Sequence, residues 1–118
     1  MTTETGFYSI IDYPAGDPTT QEKIVATFAE IQERWVRHHP GYRSARFLAS
    51  TDGERVCAIV HWAREADLRA FEESPDIDRL YADIDRALRA LPGVGTPRMT
   101  RYRLLREVRP EPTERSGS

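Results

Sequence analysis

An α+β fold is predicted, with strands and helices in the order β-α-β-β-α-β and an antiparallel sheet carrying its helices on one face. Three observations support it. Two segments, one before and one after the middle of the chain, repeat apolar residues at helical spacing. Between them, two strand-like runs flank an Asp-Gly pair, a strong short hairpin signal. The second run is apolar at every position from Val56 to Val60 and ends on His61-Trp62. A run without alternation implies burial on both faces. A chain of 118 residues can cover only one face of its own sheet, so a second copy is expected on the other.

GFYSIIDY (Gly6 to Tyr13) is rich in aromatic and β-branched residues and stops at Pro14, which reads as the first strand. After the linker PAGDPTT, Thr19 or Thr20 can cap a helix whose stripe is Ile24, Phe28, Ile31 and Trp35. Glu30, Glu33 and Arg37 fall on its solvated side, and Pro40-Gly41 ends it. Strands follow at Tyr42–Ala49 and Arg55–Trp62, with a type I′ turn expected at Asp52-Gly53. READLRAFEE reads as a short helix burying Leu68 and Phe71. Ser74-Pro75-Asp76 then starts a helix with the stripe Leu80, Ile84 and Leu88, which Pro92-Gly93 ends. A last strand, about Arg98 to Val108, completes a ferredoxin-like βαββαβ domain over residues 1–108. The tail at 109–118 has no apolar content and is expected to be disordered.

Composition narrows the function. Hydrophobic residues make up 39% and charged residues 31%, the balance of a globular protein in water. A formal charge of −2 gives no electrostatic reason to bind nucleic acid or acidic membrane. The RNA-recognition fold shares this topology, yet neither ARFLAS nor VCAIVHW supplies its exposed aromatic pattern. No apolar run approaches the roughly 20 residues that span a bilayer. The opening MTTETGFYSIIDYP lacks the basic region of a signal peptide, so a cytoplasmic location is expected. Cys57 is the only cysteine, which leaves no intrachain disulfide and no thiolate cluster.

Motifs for nucleotides, flavins, nucleophilic serine and zinc are all missing. His38 and His39 are neighbours at a helix end, so their side chains point apart and suit carbonyls and water better than a metal. What remains is aromatic. By period two, Ala58, Val60 and Trp62 share one face of their strand, and Cys57, Ile59 and His61 share the other. If the Trp62 face meets the helices, then Phe28, Trp35, Leu68, Tyr81 and Trp62 either surround a pocket for a planar molecule or simply fill the core. His61 has the right intrinsic pKa for a general base, but on this parity it faces the expected dimer interface.

The pieces PGYRSARFLASTDG, VHW and ALPG resemble the antibiotic biosynthesis monooxygenase family. The likeness is greatest to its actinorhodin-type branch, small cofactor-independent oxygenases that convert tricyclic phenols to quinones. It covers about residues 6–105, with Pro40-Gly41-Tyr42, Ser50-Thr51-Asp52-Gly53, Trp62 and Leu91-Pro92-Gly93 in order. The resemblance implies a homodimer of ferredoxin-like subunits forming an α+β barrel, each with its own pocket and with no cofactor or metal. It matches the family's strand tryptophan to Trp62 and a helix tryptophan to Trp35. The asparagine, tyrosine and arginine of the quinone-forming branch fall at Ala58, at Leu68 and at or near Tyr81.

Residues and resemblance together name Trp62, Tyr81 and His61 as catalytic candidates. Phe28, Trp35, Ala58, Leu68, Phe71, Ile84 and Tyr102 are the candidates for holding a small aromatic substrate. The expected chemistry is oxidation of a polyketide-type phenol or anthrone by O2. A cyclase on the same fold and a non-catalytic binding protein are the alternatives.

Overall fold

The structure is a computed structural model, and it describes residues 6–91 and 93–112. Its elements are β1 (Phe7–Pro14), α1 (Pro18–Ile31), β2 (Tyr42–Ala49), β3 (Arg55–Trp62), α2 (Glu65–Glu72), α3 (Ile77–Arg89) and β4 (Arg98–Arg103). The four strands form one antiparallel sheet in the order β2-β3-β1-β4, the ferredoxin-like arrangement. β3 is central. Its Trp62 lies opposite Phe7 of β1 and Tyr42 of β2, and its Ala58 lies opposite Ile11 and Phe47.

The parity of β3 is the one the sequence predicts. Val56, Ala58, Val60 and Trp62 are buried under the helices, whereas Cys57, Ile59 and His61 alternate onto the open face and are only half-buried. Register carries Tyr8 and Tyr102 to that same open face, opposite each other and beside His61, whose ring stacks on Tyr8 at 4.5 Å.

Asp17, not Thr19 or Thr20, caps α1: its carboxylate accepts from the Thr20 amide at 2.7 Å, and Pro18 takes the first turn. Ile24, Phe28 and Ile31 are buried as their stripe requires. The next stripe residue is not. Gln32–Val36 form a π turn closed by the Arg37 amide on the Gln32 carbonyl at 2.9 Å. The residue inserted there shifts the helical phase, so Val36 becomes buried and Trp35 is left partly exposed.

The β2–β3 connection is longer than the predicted type I′ turn. The Ser50 amide bonds the Arg55 carbonyl, leaving a four-residue loop in which Gly53 N–H closes a turn back to the Ser50 carbonyl at 3.1 Å. Asp52-Gly53 therefore occupy the end of that turn rather than its centre. Gln21, buried on α1, locks the helix to this loop by donating to the Ser50 and Arg55 carbonyls at 2.9 and 2.8 Å. At Gly41 the backbone φ is +85°, and the Asp67 side chain lies where a Cβ would be, so no larger residue fits there.

α3 begins at Ile77, later than Ser74-Pro75-Asp76 suggests; Asp76 takes the cap position but its side chain makes no capping hydrogen bond, pairing instead with Arg79 at 4.0 Å. α3 ends at Arg89, and Pro92, expected to stop it, lies outside the described residues. β4 is shorter than expected, ending at Arg103, although the Leu104 amide still bonds the Gly6 carbonyl at 2.9 Å. The expected disordered tail, 109–118, lies outside the described residues from 113 onward, and 104–112 form neither helix nor strand.

Candidate active site

Between the helix-facing side of the sheet and the three helices lies an apolar cavity of about 110 Å³. Its floor is Ser9, Ile11, Phe47, Ala58, Val60, Trp62 and Met99. α1 with its π turn contributes Phe28, Ile31, Gln32 and Val36; α2 contributes Leu68, Phe71 and Glu72; α3 contributes Leu80, Tyr81 and Ile84. Each wall follows from a stripe or a period-two row, so the fold builds the cavity from the same residues that build the core.

Trp62 is the centre of this wall. It is 1% exposed, meets Tyr42 edge-on at 5.5 Å and lies tilted against Phe71 at 5.5 Å. Its indole N–H is buried, and among the described residues it has no hydrogen-bond partner. A buried donor left unpaired costs about 1–3 kcal/mol, so natural structures rarely keep one without a use.

The other polar groups on the lining are few. Gln32 reaches the cavity only because of the π turn, and its side-chain oxygen accepts from the Tyr42 hydroxyl at 3.1 Å. Among the described residues Glu72 is the only charged one on the lining, and its carboxylate pairs with the guanidinium of Arg101 from β4. Tyr81 stands at the rim, 51% exposed. Burial, then the neighbouring Glu72 charge, pushes its phenol above the usual tyrosine range. Burial alone pushes Tyr13 up further, and burial also raises Tyr42. Ser9, at the floor, sits opposite Arg101 in the β1–β4 register.

Among the sequence candidates, Phe28, Ala58, Trp62, Leu68, Phe71, Tyr81 and Ile84 all border the cavity. Three do not. Trp35, displaced by the π turn, donates its indole N–H to Asp83 at 2.8 Å and ties the end of α1 to α3. That bond, with Arg86 beside it, holds the Asp83 carboxyl below the usual carboxylate range. His61 and Tyr102 project from the opposite face of the sheet, because period two and the β1–β4 register put them there. Ser9, Gln32, Glu72 and Met99 were not legible as site residues. No sequence signal marks a π turn, and Glu72 reads as one more charge on an exposed helix. His39, expected to meet helix-end carbonyls, packs its ring edge-on against Phe71 at 4.8 Å. Among the described residues no three His, Cys, Asp or Glu side chains gather closely enough to hold a metal, and no helix is long and apolar enough to cross a membrane.

A family model described as antibiotic biosynthesis monooxygenase matches residues 9–83. The chain belongs to that family. Among solved structures it is similar to a monooxygenase from the gene ActVA-Orf6 of Streptomyces coelicolor, in complex with nanaomycin D. That likeness has 30% identity and a TM-score of 0.74, and covers 92% of this chain and 95% of that one. It is also similar in fold to SnoaB, a cofactor-independent oxygenase from Streptomyces nogalater. Here identity is 18% and the TM-score 0.65, with 91% of this chain and 99% of that chain covered. A curated relative, tetracenomycin-F1 monooxygenase from Streptomyces glaucescens, is 38% identical over 58 residues, 49% of this chain and 52% of the relative. The chain thus matches about half the length of that relative. The actinorhodin-type resemblance read from the sequence agrees with these findings.

Proposed function

We propose that this family member is a cofactor-independent monooxygenase that oxidises an aromatic, polyketide-type phenol or anthrone to a quinone with O2. The buried, unpartnered indole N–H of Trp62 on an apolar cavity carries the proposal. A planar aromatic fits walls of Phe, Leu, Ile and Trp, and a substrate oxygen acquires a hydrogen bond on reaching Trp62. That bond strengthens as the oxygen gains charge, which is differential stabilisation of the anion. The electron-rich anion is its own reductant: one atom of O2 ends in the quinone carbonyl and the other in water. The protein supplies orientation, exclusion of water and a placed donor. The nanaomycin D ligand of one relative and the oxygenase activities named for the others support this reading.

The working form in this proposal is a cytoplasmic homodimer. The open face presents Ile10, Ile59 and Cys57 partly exposed, together with Leu48 and Tyr102 about half exposed. A second sheet laid on it covers that apolar surface.

Oxygen uptake with an anthrone tests the function. The expected result is one O2 consumed per quinone formed, with one atom of isotopically labelled O2 retained in the product. Ring closure of a polyketide chain without O2 uptake indicates a cyclase, and tight binding with no turnover indicates a binding protein. Either result overturns the oxygenase reading.

A further inference from the structure

A reaction of this class begins by removing a proton, and the cavity offers few groups able to take one. Trp62 only donates, Ser9 and Gln32 are not bases near neutral pH, and burial keeps Tyr13 and Tyr81 protonated. His61 lies across the sheet. Glu72 is different. It lines the cavity at the C-terminal end of α2, directly after Phe71, which packs on Trp62, and its side chain is 21% exposed. Arg101, from the helix-facing side of β4, pairs with its carboxylate from outside the lining.

We propose that Glu72 is the proton acceptor of this cavity and that Arg101 is the residue that positions it. The assignment rests on the oxygenase reading for its substrate class, but the proton step is chemically separate from the use of O2. With an anthrone, the benzylic C–H bond breaks, its electron pair passes through the ring system onto the carbonyl oxygen, and the proton forms an O–H bond on the Glu72 carboxylate. One negative charge leaves the carboxylate and appears on the substrate, so the charge facing Arg101 is conserved. Arg101 thereby changes partner electrostatically without moving. Trp62 is placed to donate to the new oxyanion while Glu72 holds the proton.

Exchange of the benzylic protons of dithranol in D2O without oxygen, followed by NMR, reads this step independently of oxidation. Wild-type protein is expected to speed exchange well above the buffer rate. Glu72→Gln should lose about 10²–10⁴-fold of that acceleration, the usual contribution of a positioned base. Its circular dichroism spectrum should match that of the wild type, which shows that the variant is folded. Arg101→Met should slow exchange, and Arg101→Lys should recover most of it, which a merely structural role does not explain. Wild-type exchange no faster than buffer overturns the proposal, and so does Glu72→Gln exchange at the wild-type rate. Glu72-dependent exchange without O2 uptake in air leaves this proposal standing and overturns the oxygenase reading; O2 uptake that survives Glu72→Gln does the reverse.

Discussion

Replacing Trp62 with Phe separates a functional indole from a core-filling one, because the two roles predict different signs and sizes. The substitution keeps an aromatic against Tyr42 and Phe71 but removes the pyrrole half of the ring. It gives up roughly 40 Å² of buried apolar surface, about 1 kcal/mol at 25 cal/mol per Å². The space left behind, roughly 30–40 Å³, adds about 0.7–1 kcal/mol. Against this, a buried N–H without a partner disappears, which returns about 1–3 kcal/mol. The terms nearly cancel, so the melting temperature should move little. Turnover should not be spared. A donor aimed at a developing oxyanion is worth about 10²–10³ in kcat. Stopped-flow oxidation of an anthrone beside a thermal melt measures both. Unchanged kcat per folded molecule with a clearly lowered melting temperature refutes the reasoning and makes Trp62 a packing residue.

Ile59→Glu places a charge at the centre of the open sheet face, where burial under a second copy costs several kcal/mol; analytical ultracentrifugation should show wild-type dimer and variant monomer, and a wild-type monomer at micromolar concentration refutes the interface. Asp83 is held low by the Trp35 indole N–H first and by Arg86 after it. Its stabilising contribution is therefore fully present above the unfolded carboxylate range near pH ~4 and lost as pH falls through the lower folded value, so Asp83→Ala should lower the melting temperature at pH 7 and converge with wild type in strong acid. Tyr13 is raised by burial, so between about pH 10 and its folded value the unfolded chain releases a proton that the folded chain keeps, and stability falls with rising pH; Tyr13→Phe should flatten that alkaline loss in pH-dependent melts.

The parts of the fold set by period and burial were legible. Period two groups Ala58, Val60 and Trp62 on one face of β3, and the alternating burial of the strand puts that face under the helices. The stripes of α1 and α3 likewise announce Phe28, Leu80 and Ile84. What escaped depends on backbone events with no residue signature. The π turn after Ile31 is built from Gln32–Val36, a sequence that reads as ordinary helix, yet it exchanges Trp35 for Gln32 and Val36 on the inner side. Tyr102 was misplaced because the register of an edge strand is fixed by pairing: Tyr8 opposite Tyr102 carries it to the open face. Glu72 and Arg101 are 29 residues apart, and only the folded chain brings their side chains together.

Ala58 shows how those two kinds of information combine. The resemblance expects a polar amide there, and the structure finds a methyl group, 1% exposed, on the cavity floor four residues along β3 from Trp62. Leu68 likewise gives an apolar wall where a hydroxyl is expected. On the proposed reading, the polar groups that serve the cavity are an indole N–H at the end of β3 and a carboxylate on α2 paired with a guanidinium from β4. An apolar floor between a donor and an acceptor suits a flat substrate that lies against Ala58 and Val60 and is addressed only at its rim. If that reading holds for this member, Ala58→Asn should narrow the bed and weaken binding of a flat tricyclic quinone, which a titration of 1,8-dihydroxyanthraquinone measures; unchanged affinity refutes a bed at Ala58.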